Sequence, residues 1–488
     1  MSGHLKAVAK LSVAAAVATT SQIIKGKIAA TILGPTGVGT FSQLKYLFNL
    51  MQAILGLGFY GGLVRNVAHA SAHNDEPKIR EQISTVLLTS GLIACLGSTV
   101  AAATATKISS FLFSGDEAHA PLVFLIIFSV PCAIIARMYK GILSAFRDVR
   151  RIVICQVTAD TISVGILAYC VNKHGLYGAV LSFCLYQLLR GTLFSTVALS
   201  AYGGSRLFPR LSNLKLEVLR KNASFSAASL VLAPVSILTT LLVSRTIIKY
   251  NGLSANGIYA AAWIVSSVYL RVLYESASSY FVPVLASAKT DEEFRSQIDS
   301  ALRLYHIGLP PVVIGLVGFG EFCIETMFSA EFTDSGRLLL WLLPVDLIRV
   351  VTETLGLAMT ARVHLLANTS TYILWAVLYT TLATLAVPEF GLLGAVWAYG
   401  ISHAIYCAAQ IAIVHHLYGY LPNSGTIRII GQGFFLSVTA SILSGFWPSI
   451  PARIGILILC LGLWFALSYR EPELKQVSAA VWKKLGIS

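Results

Sequence analysis

Charge is scarce in this chain. Only 12% of its 488 residues are Asp, Glu, Lys or Arg, against about 25% in an ordinary soluble domain. A water-soluble fold of this length is therefore excluded. Reactive patterns are scarce as well. Eight cysteines show no CxxC or metal-ligand spacing, and all but Cys323 lie in apolar runs where a thiol packs as a small apolar group, so no metal site is expected. There is no nucleotide-binding loop and no nucleophile with a base at useful spacing, which argues against an enzyme and against hydrolysis-driven work within the chain. Long polar segments are missing too. The largest gaps between apolar runs, near 106–118, 201–221 and 320–336, are too short for an extramembrane domain.

What fills the chain is hydrophobic sequence, 56% of it. Apolar runs of about 18–25 residues follow one another, each long enough to span a bilayer as a helix. Candidate spans lie near 8–33, 39–67, 82–105, 119–143, 152–172, 177–200, 222–248, 256–286, 302–320, 337–360, 367–387, 392–416, 429–447 and 452–469, which makes fourteen. The first continues through Lys25 and Lys27 and reads as an uncleaved span, not a signal peptide.

The first twelve spans contain a duplication. Gly34-Pro35-Thr36-Gly37-Val38-Gly39 recurs as Gly252-Leu253-Ser254-Ala255-Asn256-Gly257. Ala70-Ser71-Ala72 recurs as Ala286-Ser287-Ala288, and Gly175-Leu176-Tyr177-Gly178-Ala179-Val180 as Gly391-Leu392-Leu393-Gly394-Ala395-Val396. Three matches at nearly one offset predict two six-helix repeats around a central cavity, as in many transporters. The expected divisions are 1–205 for the first lobe, 206–221 for a linker and 222–417 for the second lobe. An extra helix pair follows at 418–470, and an amphipathic surface tail at 471–488.

Lys and Arg set the orientation. Lys6, Lys10, Lys78, Arg80, Lys140, Arg147, Arg150, Arg151, Arg206, Arg210, Lys215, Arg220, Lys221, Lys289, Arg295, Arg428, Arg470, Lys475, Lys483 and Lys484 fall on one side, whereas the other side holds few cations (Lys107, Lys173, Lys249, Arg337 and Arg453) and carries Asp116, Glu117, Glu321, Glu325, Glu331 and Asp334. Both termini are thus expected in the cytoplasm, with the repeats parallel. The net charge of +14 reads as topology signals and contacts to anionic headgroups, not as nucleic-acid binding.

Ionisable residues inside spans are costly and mark functional interiors. The first, second, seventh and eighth spans carry Lys25, Lys27, Lys45, Arg245 and Arg271 against the single acid Glu275. A cavity of that sign favours an anion such as a phosphate, pyrophosphate or acidic sugar. Lys25 and Lys27 are close enough to the outer boundary to snorkel instead. The tenth span places Asp346, Arg349 and Glu353 on one face, as a cavity group or an ion-pair cluster between helices. Asp160 lies in the fifth span and Arg190 in the sixth, and His403 reads as a hydrogen-bonded core histidine. Asp160, Glu275, Asp346 and Glu353 are the candidates for ion coupling, and Lys25, Lys27, Lys45, Arg245, Arg271 and Arg349 for substrate binding.

The segment Lys27-Ile28-Ala29-Ala30-Thr31-Ile32-Leu33-Gly34-Pro35-Thr36-Gly37-Val38-Gly39, with Gln43, Gly56-Leu57-Gly58-Phe59-Tyr60-Gly61-Gly62 and Asn66-Val67-Ala68, resembles the opening of Wzx-type polysaccharide flippases. These belong to the multidrug/oligosaccharidyl-lipid/polysaccharide exporter superfamily. Lys140-Gly141-Ile142-Leu143-Ser144-Ala145-Phe146-Arg147-Asp148, Pro283 and Met327-Phe328-Ser329-Ala330-Glu331-Phe332 extend the likeness over roughly 5–415. The resemblance implies translocation of an undecaprenyl-pyrophosphate-linked oligosaccharide, an O-antigen or exopolysaccharide repeat unit, across the bacterial inner membrane. It implies alternating access of two lobes, driven by a proton or sodium gradient and without a cofactor. It also implies a complex with a polysaccharide polymerase and a chain-length regulator. Many members have twelve spans, so the extra pair is a departure. Two other classes compete. A major-facilitator or multidrug transporter of a small substrate would share the two halves, but the loop Ala70–Lys78 lacks the major-facilitator signature. An integral-membrane polymerase or ligase of the same pathway would need a larger outward loop.

Overall fold

The computed structural model describes the backbone of residues 2–469 and 471. It describes side chains over 15–469 and 471, apart from 205–206, 220–221, 223–230 and 271–279. Among the described residues every regular element is a helix and none is a strand. The protein is an all-α, multi-pass membrane protein. Among the described residues eight helices are long and apolar enough to cross a bilayer, or nine when the bent pair Ala15–Leu55 and Phe59–Ala72 is one span.

Several of these helices are too long for a single crossing. Val149–Tyr202 and Leu365–Tyr418 have 54 residues each, about 80 Å at 1.5 Å per residue, whereas the hydrocarbon core is about 30 Å thick. Each is broken by a glycine: Gly175 (φ 53°, ψ −131°) and Gly391 (φ 58°, ψ −139°). Gly34 (φ 63°, ψ −175°) and Gly252 (φ 85°, ψ 175°) break Ser2–Leu55 and Leu216–Ser287 in the same way. Only glycine adopts such angles without strain. The chain reverses at Gly175, Gly391 and Gly252. Tyr186 donates to Asp160 at 2.5 Å, Trp375 to His403 at 2.9 Å and Ser244 to Asn256 at 2.5 Å. Straight helices would hold those partners roughly 18–40 Å apart.

The duplication is therefore written in the backbone as well as in the motifs. Gly34 pairs with Gly252 and Gly175 with Gly391 in conformation. Arg147 (φ 57°) and Val363 (φ 62°), at the offset of the second pair, are also left-handed. Close approaches repeat too. A Cβ on Gly178 would lie 1.9 Å from the Cys170 carbonyl oxygen, and one on Gly394 would lie 2.3 Å from that of Ala386. The turn at Gly34–Gly39 and its copy at Gly252–Gly257 also make a reciprocal contact, at Gly39 and Gly257. A Cβ on Gly39 would meet the Leu253 carbonyl at 2.0 Å, and one on Gly257 the Pro35 carbonyl at 2.0 Å. Asn256 Nδ2 ties the contact by donating to the Gly39 carbonyl at 2.9 Å.

The chain divides into two compact units, Met1–Gly257 and Ile258–Ser488. The first has a core of Leu44, Leu63, Ile83, Val86, Ile126, Ile134 and Ile142. In this unit the second span bends by 46° at Gly56, Leu57 (φ 48°) and Gly58 (φ 62°). The turn after it is capped by Asp75, whose carboxyl lies below its ordinary pKa chiefly because the Lys78 side chain hydrogen-bonds to it. In the second unit, the extra pair Ser424–Phe446 and Ile450–Ser468 is tied to the helix Asp291–Met327 at both ends. Asp299 accepts from Tyr420, Asn423 and Thr426. Glu471 is clasped by Arg303 and Arg428, and Arg453 donates to Glu321 at 2.8 Å. The tail from 472 onward lies outside the described residues.

Candidate functional site: two polar clusters within the spans

In the first unit the hairpin at Gly175 gathers a charged cluster within its spans. Asp160 and Arg190 each lie 15 residues from that turn, about 22 Å along their helices. The Asp160 carboxylate is buried and accepts from Tyr186 Oη at 2.5 Å and Gln156 Nε2 at 2.8 Å. Lys25 joins from the first span. Its ammonium donates to Ser163 Oγ at 3.0 Å and stands 4.6 Å from the Tyr186 ring centroid. The Arg190 guanidinium lies 5.5 Å from the same centroid, and its buried Nε has no hydrogen-bond partner. Lys25 thus reaches into the unit and does not snorkel outward. Two cations share one carboxylate and one aromatic ring, a net positive site in a low-dielectric setting.

The remaining cations of the first unit are placed differently. Lys27 is half-buried two positions on, and Lys45 is half-buried with its ammonium 5.6 Å from the Phe41 ring. Arg245 donates to the Phe111 carbonyl at 2.5 Å and covers that ring at 4.4 Å. It satisfies the end of the helix Ala105–Leu112 and stands apart from the Lys25 cluster. Arg271 and Glu275 lie outside the residues whose side chains are described.

In the second unit Asp346 is fully buried, and its Oδ2 accepts from Ser266 at 2.8 Å and Tyr269 at 2.6 Å. Its buried Oδ1 has no hydrogen-bond partner. One turn on, Arg349 Nε lies 3.8 Å from Glu353 Oε1. His403 accepts at Nδ1 from Trp375, so it is held as a neutral core histidine in that contact. An aromatic wall surrounds these groups. Tyr259 and Tyr379 share a 2.6 Å hydroxyl contact; Trp263 stacks on Tyr259 and Trp375 on Tyr379, while Tyr399 meets Tyr379 edge to face and Tyr372 and Tyr406 pack beside Trp375. Among the described residues no group of His, Cys, Asp and Glu could hold a metal ion.

Comparison with known proteins now gives these clusters a context. A family model described as polysaccharide biosynthesis protein matches residues 5–289. The chain belongs to this family. This polysaccharide biosynthesis protein is similar to the lipid III flippases of Escherichia coli (strain K12) and Shigella flexneri. Each is 24% identical over 397 residues, covering 79% of this chain and 91% of the relative. Its fold is similar to that of an inward-facing multidrug resistance MATE family transporter of the MOP superfamily. The TM-score is 0.72 at 14% identity, covering 85% of this chain and 98% of the other. The lipid II flippase MurJ in an inward closed conformation gives a TM-score of 0.69 at 13% identity, covering 94% and 98%. At such identities the structural likeness is one of fold.

Proposed function

We propose that the protein is a flippase. It moves an undecaprenyl-pyrophosphate-linked oligosaccharide, an O-antigen or exopolysaccharide repeat unit, from the inner to the outer leaflet of the bacterial inner membrane. The observation that carries this reading is the Lys25–Tyr186–Arg190 cluster within the spans, with its single acid, Asp160. Such a site suits a phosphate or another anion and repels a cationic drug, which weighs against a multidrug exporter despite the shared fold. The similarity to lipid III flippases supports the lipid-linked substrate. In this reading Lys25 and Arg190, helped by Lys27 and Lys45, hold the charged headgroup. The two six-helix lobes alternate access, with the greasy tail in the bilayer, and Asp346 binds the coupling proton or sodium ion on its open oxygen. Polymerase and chain-length regulator act on the delivered unit.

The test is loss of function in the producing cell. Deleting the gene is expected to accumulate lipid-linked repeat units on the cytoplasmic leaflet and remove surface polymer. A deletion strain with unchanged surface polymer and no accumulated precursor sinks the reading. Replacing Asp346 by Asn is expected to abolish gradient-driven movement in vesicles while equilibrium exchange of the lipid persists. Loss of both, with the protein folded, would remove Asp346 from the coupling role.

We further propose fourteen spans with both termini cytoplasmic. Reporter fusions after residues 115, 253, 330 and 450 are expected to report the periplasm, and fusions after 75, 213 and 488 the cytoplasm. A cytoplasmic signal at 450 would remove the thirteenth span.

A further inference from the structure

The backbones of the two halves repeat, but their contents do not. At the 216-residue offset that relates Gly175 to Gly391, the first-half residues Gln156, Ser163 and Arg190 give way to Tyr372, Tyr379 and Tyr406. Where one hairpin holds an ionic cluster, its copy holds rings. Tyr372 is the half-exposed member of that set, packed on Trp375 at 5.1 Å and on Tyr406 at 6.3 Å. On the tenth span, Glu353 keeps 43% of its side chain accessible, whereas Arg349 keeps 25% and its Nη1 is buried. A carboxylate so exposed within a span would be costly against lipid, so it faces a watered surface. The level is also informative. Glu353 lies eight residues from Ala361 and Tyr372 seven from Leu365, about 10–12 Å from the helix ends at that turn. This is the end that the Lys and Arg asymmetry puts in the cytoplasm, where a glycan assembled inside the cell would enter.

We infer that Glu353 and Tyr372 form a glycan subsite within the second unit, binding sugar hydroxyls of the lipid-linked substrate through the carboxylate and one sugar face through the ring. The inference rests on the flippase reading. A carboxylate accepts from two neighbouring hydroxyls. The electron-rich face of a tyrosine ring attracts the weakly positive C–H bonds of a sugar's apolar face. Hydrogen bonds to charged groups contribute about 1.5–3 kcal/mol each, or roughly 10- to 150-fold in affinity.

The experiment uses the full-length protein in nanodiscs and two probes, undecaprenyl pyrophosphate and the same lipid carrying one N-acetylhexosamine. Binding is followed by native mass spectrometry, with inorganic pyrophosphate as a third arm to separate a lipid headgroup from free phosphate. Wild type is expected to bind the sugar-bearing lipid at least about tenfold tighter than the bare lipid. Glu353→Gln and Tyr372→Ala are expected to reduce that ratio to near one, while Tyr372→Phe, which keeps the ring, retains it. Because a ratio is read within each variant, a loss of folded protein does not imitate the effect, and Tyr372→Phe keeps the test open if Tyr372→Ala fails to fold. An unchanged ratio in Glu353→Gln, or a wild-type ratio of one, overturns the subsite and leaves the flippase reading standing. Failure of wild type to bind either lipid overturns both.

Discussion

Replacing Gly178 by Ala is expected to remove most of the folded protein from the membrane. The added Cβ would stand 1.9 Å from the Cys170 carbonyl oxygen and 2.4 Å from its carbon, both backbone atoms that no rotamer change can move. The two arms of the hairpin would have to separate by more than 1 Å, which would unseat the Tyr186–Asp160 hydrogen bond that fixes their register. Overpacking an ordinary core costs about 1–3 kcal/mol, and a clash between backbones exceeds that range. Total stabilities are only about 5–15 kcal/mol. Gly394→Ala, set against the Ala386 carbonyl at 2.3 Å, is expected to do the same to the second unit. Gly165→Ala is the control, since a Cβ there meets nothing within 4 Å. It is expected to be neutral or slightly stabilising, because alanine favours a helix by about 1 kcal/mol over glycine. Thermal denaturation followed by size exclusion in detergent reads all three. A Gly178→Ala protein melting with wild type would show that the turn relaxes freely and that its glycine is incidental.

Lys25→Met is expected to lower export of polymer at least about tenfold without loss of the protein from the membrane, a change worth about 1.4 kcal/mol or more. The substitution keeps most of the apolar stem and deletes the ammonium that reaches Ser163 and the Tyr186 ring. What remains is Asp160 with one cation, so the positive excess that would hold an anion is gone. Lys25→Arg is expected to keep much of the activity, since the charge persists. Asp160→Asn tests the other sign. It leaves Lys25 and Arg190 around one ring with no carboxylate between them, and breaking a buried charge arrangement costs about 3–5 kcal/mol. That variant is therefore expected to lose stability as well as transport, whereas Lys25→Met loses transport first. Surface polymer, lipid-linked precursor and membrane abundance are measured together. Full export from a normally abundant Lys25→Met protein would take this lysine out of the substrate path.

Much of this architecture was legible in the sequence because its cause is local. Glycines that turn a membrane helix back must recur wherever the turn recurs, so Gly34 with Gly252 and Gly175 with Gly391 betrayed the duplication before any coordinates did. The left-handed pair Arg147 and Val363 was invisible, since neither residue type announces a positive φ and the two share no side-chain chemistry. The bend at Gly56–Gly58 could be quoted as a motif, but its angle depends on packing. For Lys25 the ambiguity was one of reach. A lysine stem is long enough to end in the headgroups or in the interior, and only the position of Ser163 and Tyr186 on another hairpin decides between them. Asp160 could be placed in the fifth span, but its donors, Tyr186 and Gln156, could not be read before the hairpin was seen. Arg245 shows the opposite case: the sequence reading counted it among the cavity cations, and its side chain serves the carbonyl of Phe111. The aromatic wall of the second unit went unread because tyrosines and tryptophans spread over several spans look like ordinary membrane sequence until the hairpin at Gly391 gathers them.

The joint at Gly39 and Gly257 has a consequence for how such a protein changes over time. Each turn meets the other through a bare α-carbon and a main-chain carbonyl, so nothing at the joint depends on side-chain identity beyond the absence of one. Recognition chemistry cannot be written there, and drift elsewhere does not disturb it. The interiors of the two copies are free to diverge, and a new cargo can be accommodated by editing either one without redesigning the contact between the two glycine turns.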